Sequence, residues 1–345
     1  MKNTKIKIFL ANVANEKFMT GCPMNLLYLA SYLIDKKIIK KNNIYIHTEN
    51  RLRDLLELIE ETRPTIVGLS VNTPFYIEAK KLIKKIKEID KKIIIVIGGY
   101  HISSLPLSLP SQCDFGVIGE GEETFAELVK TIINGEEKHL EKLKEIKSLI
   151  YRDRKNKVKI NQNRKPLNID TFNNLHWNLI DKNSIFTNQA VIINKKVQIK
   201  KVATLYTSRG CPFNCSFCAH RVVWKGVRYF NIKDVCDEME ELYKKYGVDC
   251  FQIMDDTFAI SKHRLKKIIE ELKKRKLLGK LYFSYLFIRA DLIDEEFVRL
   301  LKEFGAISVF IGVEFGSSRI MKLYKDGHLT TDKAKKACEL FAEKD

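Results

Sequence analysis

Arg209-Gly210-Cys211-Pro212-Phe213-Asn214-Cys215-Ser216-Phe217-Cys218 sets three thiols within eight residues, directly after Ala203–Ser208, a run whose pattern predicts a strand. Gly210 and Pro212 oppose a regular helix, so the segment is an irregular loop able to wrap its sulfurs around one metal centre. Three residues separate the first two cysteines and two separate the next, unlike the repeated two-residue knuckle of a zinc ribbon. Three thiolates on a [4Fe–4S] cluster leave one iron open to a substrate or cofactor, whereas an electron-transfer cluster closes all four positions. A Cys3His zinc site completed by His220 is the competing possibility, and three inert buried cysteines the bland one.

Downstream of this loop, strand and helix patterns alternate. Helices are expected near Lys233–Tyr246, Ser261–Leu277, Glu295–Phe304 and from Thr331 onward, with strands at Cys250–Met254, Leu281–Phe287 and Ile307–Val313. Together with Ala203–Ser208 that makes four consecutive βα units, which is how a barrel reads in sequence, and the cysteines fall at the C-terminal rim where barrel active sites gather. Upstream, residues 137–201 read as a linker with a hairpin, Ser148–Arg152 and Lys157–Asn161. Residues 1–136 read as a Rossmann-like or flavodoxin-like parallel sheet, with strands at Ile6–Leu10, Ile44–His47, Thr65–Val71, Ile93–Ile97 and Phe115–Ile118. The helices between them, Asn25–Ile34, Leu52–Glu61, Ile77–Ile89 and Glu123–Ile133, space their apolar residues three and four apart. The expected division is thus residues 1–136, 137–201 and 202–345.

In an open parallel sheet ligands bind beyond the carboxyl ends of the strands. That singles out Ser70, Asn72 and Thr73, the run Gly98-Gly99-Tyr100-His101, and Gly119-Glu120-Gly121-Glu122. Glycines there let backbone approach a ligand, and carboxylates suit the first turn of the next helix.

Of the eight cysteines, Cys22, Cys113, Cys236, Cys250 and Cys338 are scattered and expected to be small hydrophobes. A cysteine cluster without a disulfide pattern fits a reducing compartment. No run of about 20 apolar residues offers a membrane span, and the start has no signal-peptide pattern, so a cytoplasmic location is expected. The net charge of +18 would suit a nucleic-acid partner, yet the lysines are spread over many helical faces among glutamates, which makes that partner the weaker expectation.

The loop resembles the hallmark of the radical S-adenosylmethionine (radical SAM) superfamily, Cys-x3-Cys-x-aromatic-Cys after the first strand of a partial (βα) barrel: Cys211, Cys215, Phe217 and Cys218 match it. The resemblance implies a [4Fe–4S] cluster on Cys211, Cys215 and Cys218 that reductively cleaves S-adenosylmethionine to a 5′-deoxyadenosyl radical. It also implies that Phe217, Asp255, Asp256, Arg289 and Glu314 face that cofactor. Arg289 would pair with its carboxylate and Glu314 would accept hydrogen bonds from its ribose. Residues 6–133 are similar to the cobalamin (B12)-binding domain that precedes many such barrels, so the strand-end loops named above would line a corrinoid. The Asp-x-His-x-x-Gly of histidine-ligated cobalamin domains is missing from Asn12–Gly21, and the one Asp-x-His, Asp326-Gly327-His328, lies elsewhere. A lower corrinoid face without a protein histidine is expected.

The fold class expected is therefore α/β, a parallel sheet followed by a partial radical SAM barrel that is truncated after its fourth βα unit, where the family barrel has six strands. The function expected is cobalamin-dependent methyl transfer to an unactivated carbon of a small-molecule substrate, with an external one-electron donor such as flavodoxin or ferredoxin. The alternatives are a corrinoid-free radical SAM enzyme of the methylthiotransferase or rearrangement kind, and a non-catalytic zinc or iron–sulfur protein that binds RNA.

Overall fold

The computed structural model describes residues 6–13, 22–48, 52–172, 175–193, 195–325, 327 and 329–342. The chain divides into two compact units, residues 1–167 with 175–184, and residues 168–174 with 185–345.

In the first unit β-branched runs form β1 (Ile8–Val13), β2 (Ile44–Ile46), β3 (Ile66–Val71), β4 (Ile94–Gly98) and β5 (Phe115–Val117). They pair in parallel in the order β2-β1-β3-β4-β5, the flavodoxin-like order. The connecting helices are α1 (Met24–Asp35), α2 (Leu52–Thr62), α3 (Tyr76–Ile89), α4 (Tyr100–Ser104) and α5 (Glu122–Ile133). Leu55 and Ile59 of α2 and Leu82, Ile83 and Ile86 of α3, spaced three or four apart, bury against Phe9, Ala11, Val67 and Leu69. Each such side chain contributes about 1.5–3 kcal/mol.

The stretch 137–201 contributes to both units. After α6 (Leu140–Glu145), the hairpin strands β6 (Leu149–Arg152) and β7 (Val158–Ile160) extend the first sheet antiparallel from β5. Residues 168–174 belong to the second unit, where Phe172 meets Phe230 with ring centroids 6.4 Å apart. Residues 175–184 return to the first: the His176 N–H donates to Ser31 Oγ at 3.0 Å, and Trp177 is buried.

The second unit opens after α7 (Lys182–Ile185) with the long antiparallel pair β8 (Phe186–Ile193) and β9 (Lys196–Leu205). Strand β9 starts earlier than Ala203 because its first half pairs with β8. A two-residue clip, β10 (Ser208–Arg209) with β11 (Arg228–Tyr229), encloses the cysteine loop and the short α8 (His220–Val223). Then come α9 (Ile232–Tyr246), β12 (Cys250–Ile253), α10 (Lys262–Lys274), β13 (Tyr282–Ser284), β14 (Leu286–Arg289), α11 (Glu295–Phe304), β15 (Val309–Gly312), α12 (Ser318–Tyr324) and α13 (Thr331–Ala342). Strands β9, β12 and β13 pair in parallel, as do β14 and β15. Helices α9, α10 and α11 begin at Asn231, Ser261 and Asp294, whose side chains accept hydrogen bonds from backbone N–H groups in the first turn.

The single strand expected at Leu281–Phe287 is two. Tyr285 takes φ of 57°, an extra residue that breaks the ladder and shifts the alternation by one, as a bulge does. Before it, Phe283 stacks on Phe304 of α11 at 3.7 Å; beyond it, Ile288 shares a face with Ile311, which packs on the cluster of Met321, Ala334 and Ala337 from α12 and α13. Tyr285, Phe287 and Arg289 are thereby turned to the opposite, inner face. Among the described residues no helix is long and apolar enough to cross a membrane.

Candidate functional site

The cysteine loop is held at both ends. Gly210 has φ of +84°, and a Cβ there would stand 2.0 Å from the Gly226 carbonyl oxygen, so the clip closes only over a glycine. The Gly210 N–H donates to Asp256 Oδ2 at 3.0 Å, and the Ser216 N–H to the Tyr324 carbonyl at 2.9 Å. Upstream, the Arg209 guanidinium lies 5.3 Å from the ring centroids of Phe172 and Trp224 and 5.7 Å from that of Phe230, a cation–π cage beneath the loop.

Cys211 and Cys215 are half-buried and Cys218 is exposed, in contrast to the buried Cys113, Cys236 and Cys250. Burial pushes the thiols of Cys113 and Cys236 up to about 12 and that of Cys250 up to about 11, which makes them inert. Polar groups stand beside each loop sulfur, among them Thr257 Oγ1 at 3.1 Å from Cys211, Arg289 Nη1 at 3.8 Å from Cys215, and His220 Nδ1 at 3.1 Å from Cys218. Burial raises the Cys211 thiol, and the Thr257 hydroxyl works against that rise. Donors aimed at thiolate sulfur stabilise the charge that an iron–sulfur cluster carries and tune its potential.

Among the described residues no three His, Cys, Asp or Glu side chains converge as the ligands of a single ion do. His220 Nε2 donates to the Cys211 carbonyl oxygen at 3.1 Å, so in the neutral ring Nδ1, beside Cys218 Sγ, is an acceptor.

The other residues expected at the S-adenosylmethionine site divide. Asp255 is 1% exposed and accepts from the N–H and hydroxyl groups of both Thr207 and Ser208, at 2.5–3.0 Å. Burial raises its carboxyl above the ordinary range against the pull of those four bonds. It braces the strand end rather than facing a ligand, while Asp256 is exposed beside the loop. Arg289 is buried, donates to Asp291 Oδ1 at 2.7 Å and to the Lys325 carbonyl at 3.1 Å, and lies 4.0 Å from the Phe213 ring centroid. Glu314 is exposed, has φ of 55° and pairs with Lys325. Phe217 is half exposed and meets Phe315 edge-on at 5.9 Å. Along the inner face from Arg289, the exposed rings of Tyr285 and Phe287 stand 5.0 and 5.3 Å from that of Phe310. Sequence reasoning gave no role to Phe213 or Lys325. Phe213 lies within the cysteine loop and so had a signal; Lys325, eleven residues past Glu314, had none.

In the first unit the strand-end loops lie together at the carboxyl edge. Asn12 and Asn25 exchange hydrogen bonds at 2.7 and 3.2 Å, and Asn25 reaches Ser70 Oγ at 3.1 Å. Ser70, Asn72, Thr73, Gly98, Tyr100, Gly119, Glu120 and Gly121 are at least partly exposed there, as a ligand rim requires. Three expected residues, Gly99, His101 and Glu122, serve packing or are buried. Gly99 has φ of +95°, and a Cβ on it would come 2.7 Å from the Val71 carbonyl, so this glycine serves packing between strand ends. His101 is buried, its ring nitrogens 3.2 Å from Thr73 Oγ1 and Ser108 Oγ, its ring stacked on Tyr76 at 3.8 Å. Glu122 is buried, and Glu120 Oε2 accepts the Leu167 N–H at 3.1 Å. The segment 14–21, expected to lack an axial histidine, and Asp326 and His328 lie outside the described residues.

Residues 13–129 match the family model described as the B12 binding domain, and residues 205–345 that of the radical SAM superfamily. An uncharacterized methyltransferase of Pyrococcus horikoshii is 30% identical over 314 residues, 89% of this chain and 64% of the relative. The anaerobic magnesium-protoporphyrin IX monomethyl ester cyclase of Rubrivivax gelatinosus is 27% identical over 290 residues, 83% of this chain and 50% of the relative. The chain thus spans between half and two thirds of the length of these relatives. Among solved structures, the radical S-adenosylmethionine methyltransferase TsrM of Kitasatospora setae, with tryptophan and a S-adenosylmethionine analogue bound, superposes with a TM-score of 0.73 at 20% identity, over 97% of this chain and 65% of that one. A likeness at that identity speaks for the fold.

Proposed function

Because the chain belongs to the radical SAM superfamily and carries a B12-binding domain ahead of that region, we propose that it is a cobalamin-dependent methyltransferase acting on an unactivated carbon. The single observation that carries this is the clipped loop whose three accessible thiols each have a polar neighbour. Its cofactors are a [4Fe–4S] cluster, S-adenosylmethionine and cobalamin. Bound there, they supply one-electron cleavage of a carbon–sulfur bond and a transferable methyl group.

The protein's part is to hold and orient. Cys211, Cys215 and Cys218 would hold the cluster, and three protein ligands would leave it able to engage S-adenosylmethionine. Thr257 and Arg289 stabilise the thiolates, and Phe213 sets the plane of the Arg289 guanidinium. Glu314 and Asp256 offer acceptors at the rim for the ribose and ammonium groups. The rings of Tyr285, Phe287 and Phe310 give the inner face an apolar wall suited to a substrate with a flat hydrocarbon part.

Purified and reconstituted without oxygen, the chain should hold about four irons, retain cobalamin by its absorption spectrum, and release 5′-deoxyadenosine on reduction with S-adenosylmethionine. Iron that never yields the nucleoside would end the proposal. Nucleoside without retained cobalamin would favour a corrinoid-free radical enzyme, a second possibility supported by the inward use of Gly99 and His101.

A further inference from the structure

Lys325 directly follows α12 and is 4% exposed, a buried ammonium that none of the roles above employs. A cation in that position is costly unless paired and hydrogen-bonded. Its Nζ donates to the Gly312 carbonyl at 2.6 Å and to the Glu314 carboxylate. Its own carbonyl accepts from Arg289 Nη2 at 3.1 Å, and the preceding carbonyl, of Tyr324, accepts the Ser216 N–H at 2.9 Å. Two consecutive residues therefore tie together the cysteine loop, the end of β14 and the end of β15.

Two further facts place the lysine in the service of Glu314. The φ of 55° at Glu314 lies in the left-handed region, which a residue with a side chain occupies only when its surroundings hold it there. Gly312 has space over it that the pair fills: a Cβ on Gly312 would stand 2.6 Å from Glu314 Oε1 and 3.3 Å from Lys325 Nζ. Gly312 pairs in register with Arg289, so this is the inner face beside the cysteine loop.

We propose that Lys325 is a positioning residue that fixes Glu314 for S-adenosylmethionine, one carboxylate oxygen engaged by the ammonium and Oε1 presented over Gly312 to the cofactor. The inference rests on the proposal that Glu314 faces that cofactor. The full chain, loaded with its cluster, is compared with K325M, K325R and G312A. S-adenosylmethionine binding is measured by equilibrium dialysis, and the electron paramagnetic resonance spectrum of the reduced cluster is recorded with and without it. K325M should bind about tenfold or more weakly and lose the spectral change that the cofactor induces. K325R, which keeps the charge, should recover most of the affinity. G312A keeps Lys325 but pushes Glu314 aside, and should weaken binding by a similar factor. Should K325M fail to fold, G312A decides. Affinity within about twofold of the unmodified chain in K325M or G312A would overturn the inference and leave the radical chemistry standing. Failure of the unmodified chain to bind S-adenosylmethionine would overturn both.

Discussion

Asp255 shows how a motif carboxylate differs from a ligand-facing one. Its oxygens face four donors from Thr207 and Ser208, so Asp255→Ala would leave two buried backbone N–H groups and two hydroxyls without their acceptor. The expected loss is about 2–3 kcal/mol of stability, measured by urea unfolding; an unchanged midpoint would mean the oxygens are not so engaged. His47 presents the converse case. Both its ring nitrogens are buried without a hydrogen-bond partner among the described residues, and burial lowers its pKa below the ordinary value despite Asp54 nearby. The unfolded chain therefore takes up a proton near pH 6.5 that the folded chain resists, so stability is present above that pH and is lost as pH falls from it toward the folded pKa. His47→Leu should remove this acid sensitivity and add about 1 kcal/mol near neutral pH, read from melting temperatures between pH 5 and 8. An equal acid slope in the variant would refute the assignment.

At the level of elements, the bulge at Tyr285 decides which side chains look inward. Tyr285→Val places a β-branched side chain where the left-handed φ of 57° disfavours it, and a strand drawn straight through this position would turn Phe287 and Arg289 toward the helices, taking the guanidinium from Cys215. The expected result is a marked fall in iron retained per chain after anaerobic reconstitution, and full retention would show the bulge to be incidental. Much of this layer was legible beforehand. The strands at Ile44–His47 and Cys250–Met254 and the helix at Glu295–Phe304 follow from residue type, spacing and a capping aspartate, all local signals. The cysteine loop was legible because its chemistry is written in consecutive residues. What stayed hidden depends on contacts distant in sequence: the left-handed turn at Tyr285, the inward use of Gly99 against Val71, and the pairing of Lys325 with Glu314. None of these leaves a period or a composition to read. The hairpin strands β6 and β7 were recognised, but not that they would lengthen the first sheet, since antiparallel addition at a sheet edge asks only for an edge.

Across the whole molecule, the path of the chain between its two units sets where it can be cut. A fragment beginning at residue 202 keeps the four residues of β9 that pair with β12 but loses β8, the part of β9 that continues along it, and Phe172. One beginning at residue 168 keeps all three. The shorter fragment should show no cooperative melting by circular dichroism and the longer one a single transition; cooperative melting of the shorter would mean that β8 and Phe172 are dispensable. The same path bears on biosynthesis. Residues 168–174 leave the ribosome before every other part of the unit they complete, whereas 175–184 arrive last for theirs. The nascent first unit must therefore wait for a piece that lies beyond a stretch with nothing yet to hold it, and a translational pause once residue 184 has cleared the ribosome would give Trp177 time to seat before the barrel strands emerge.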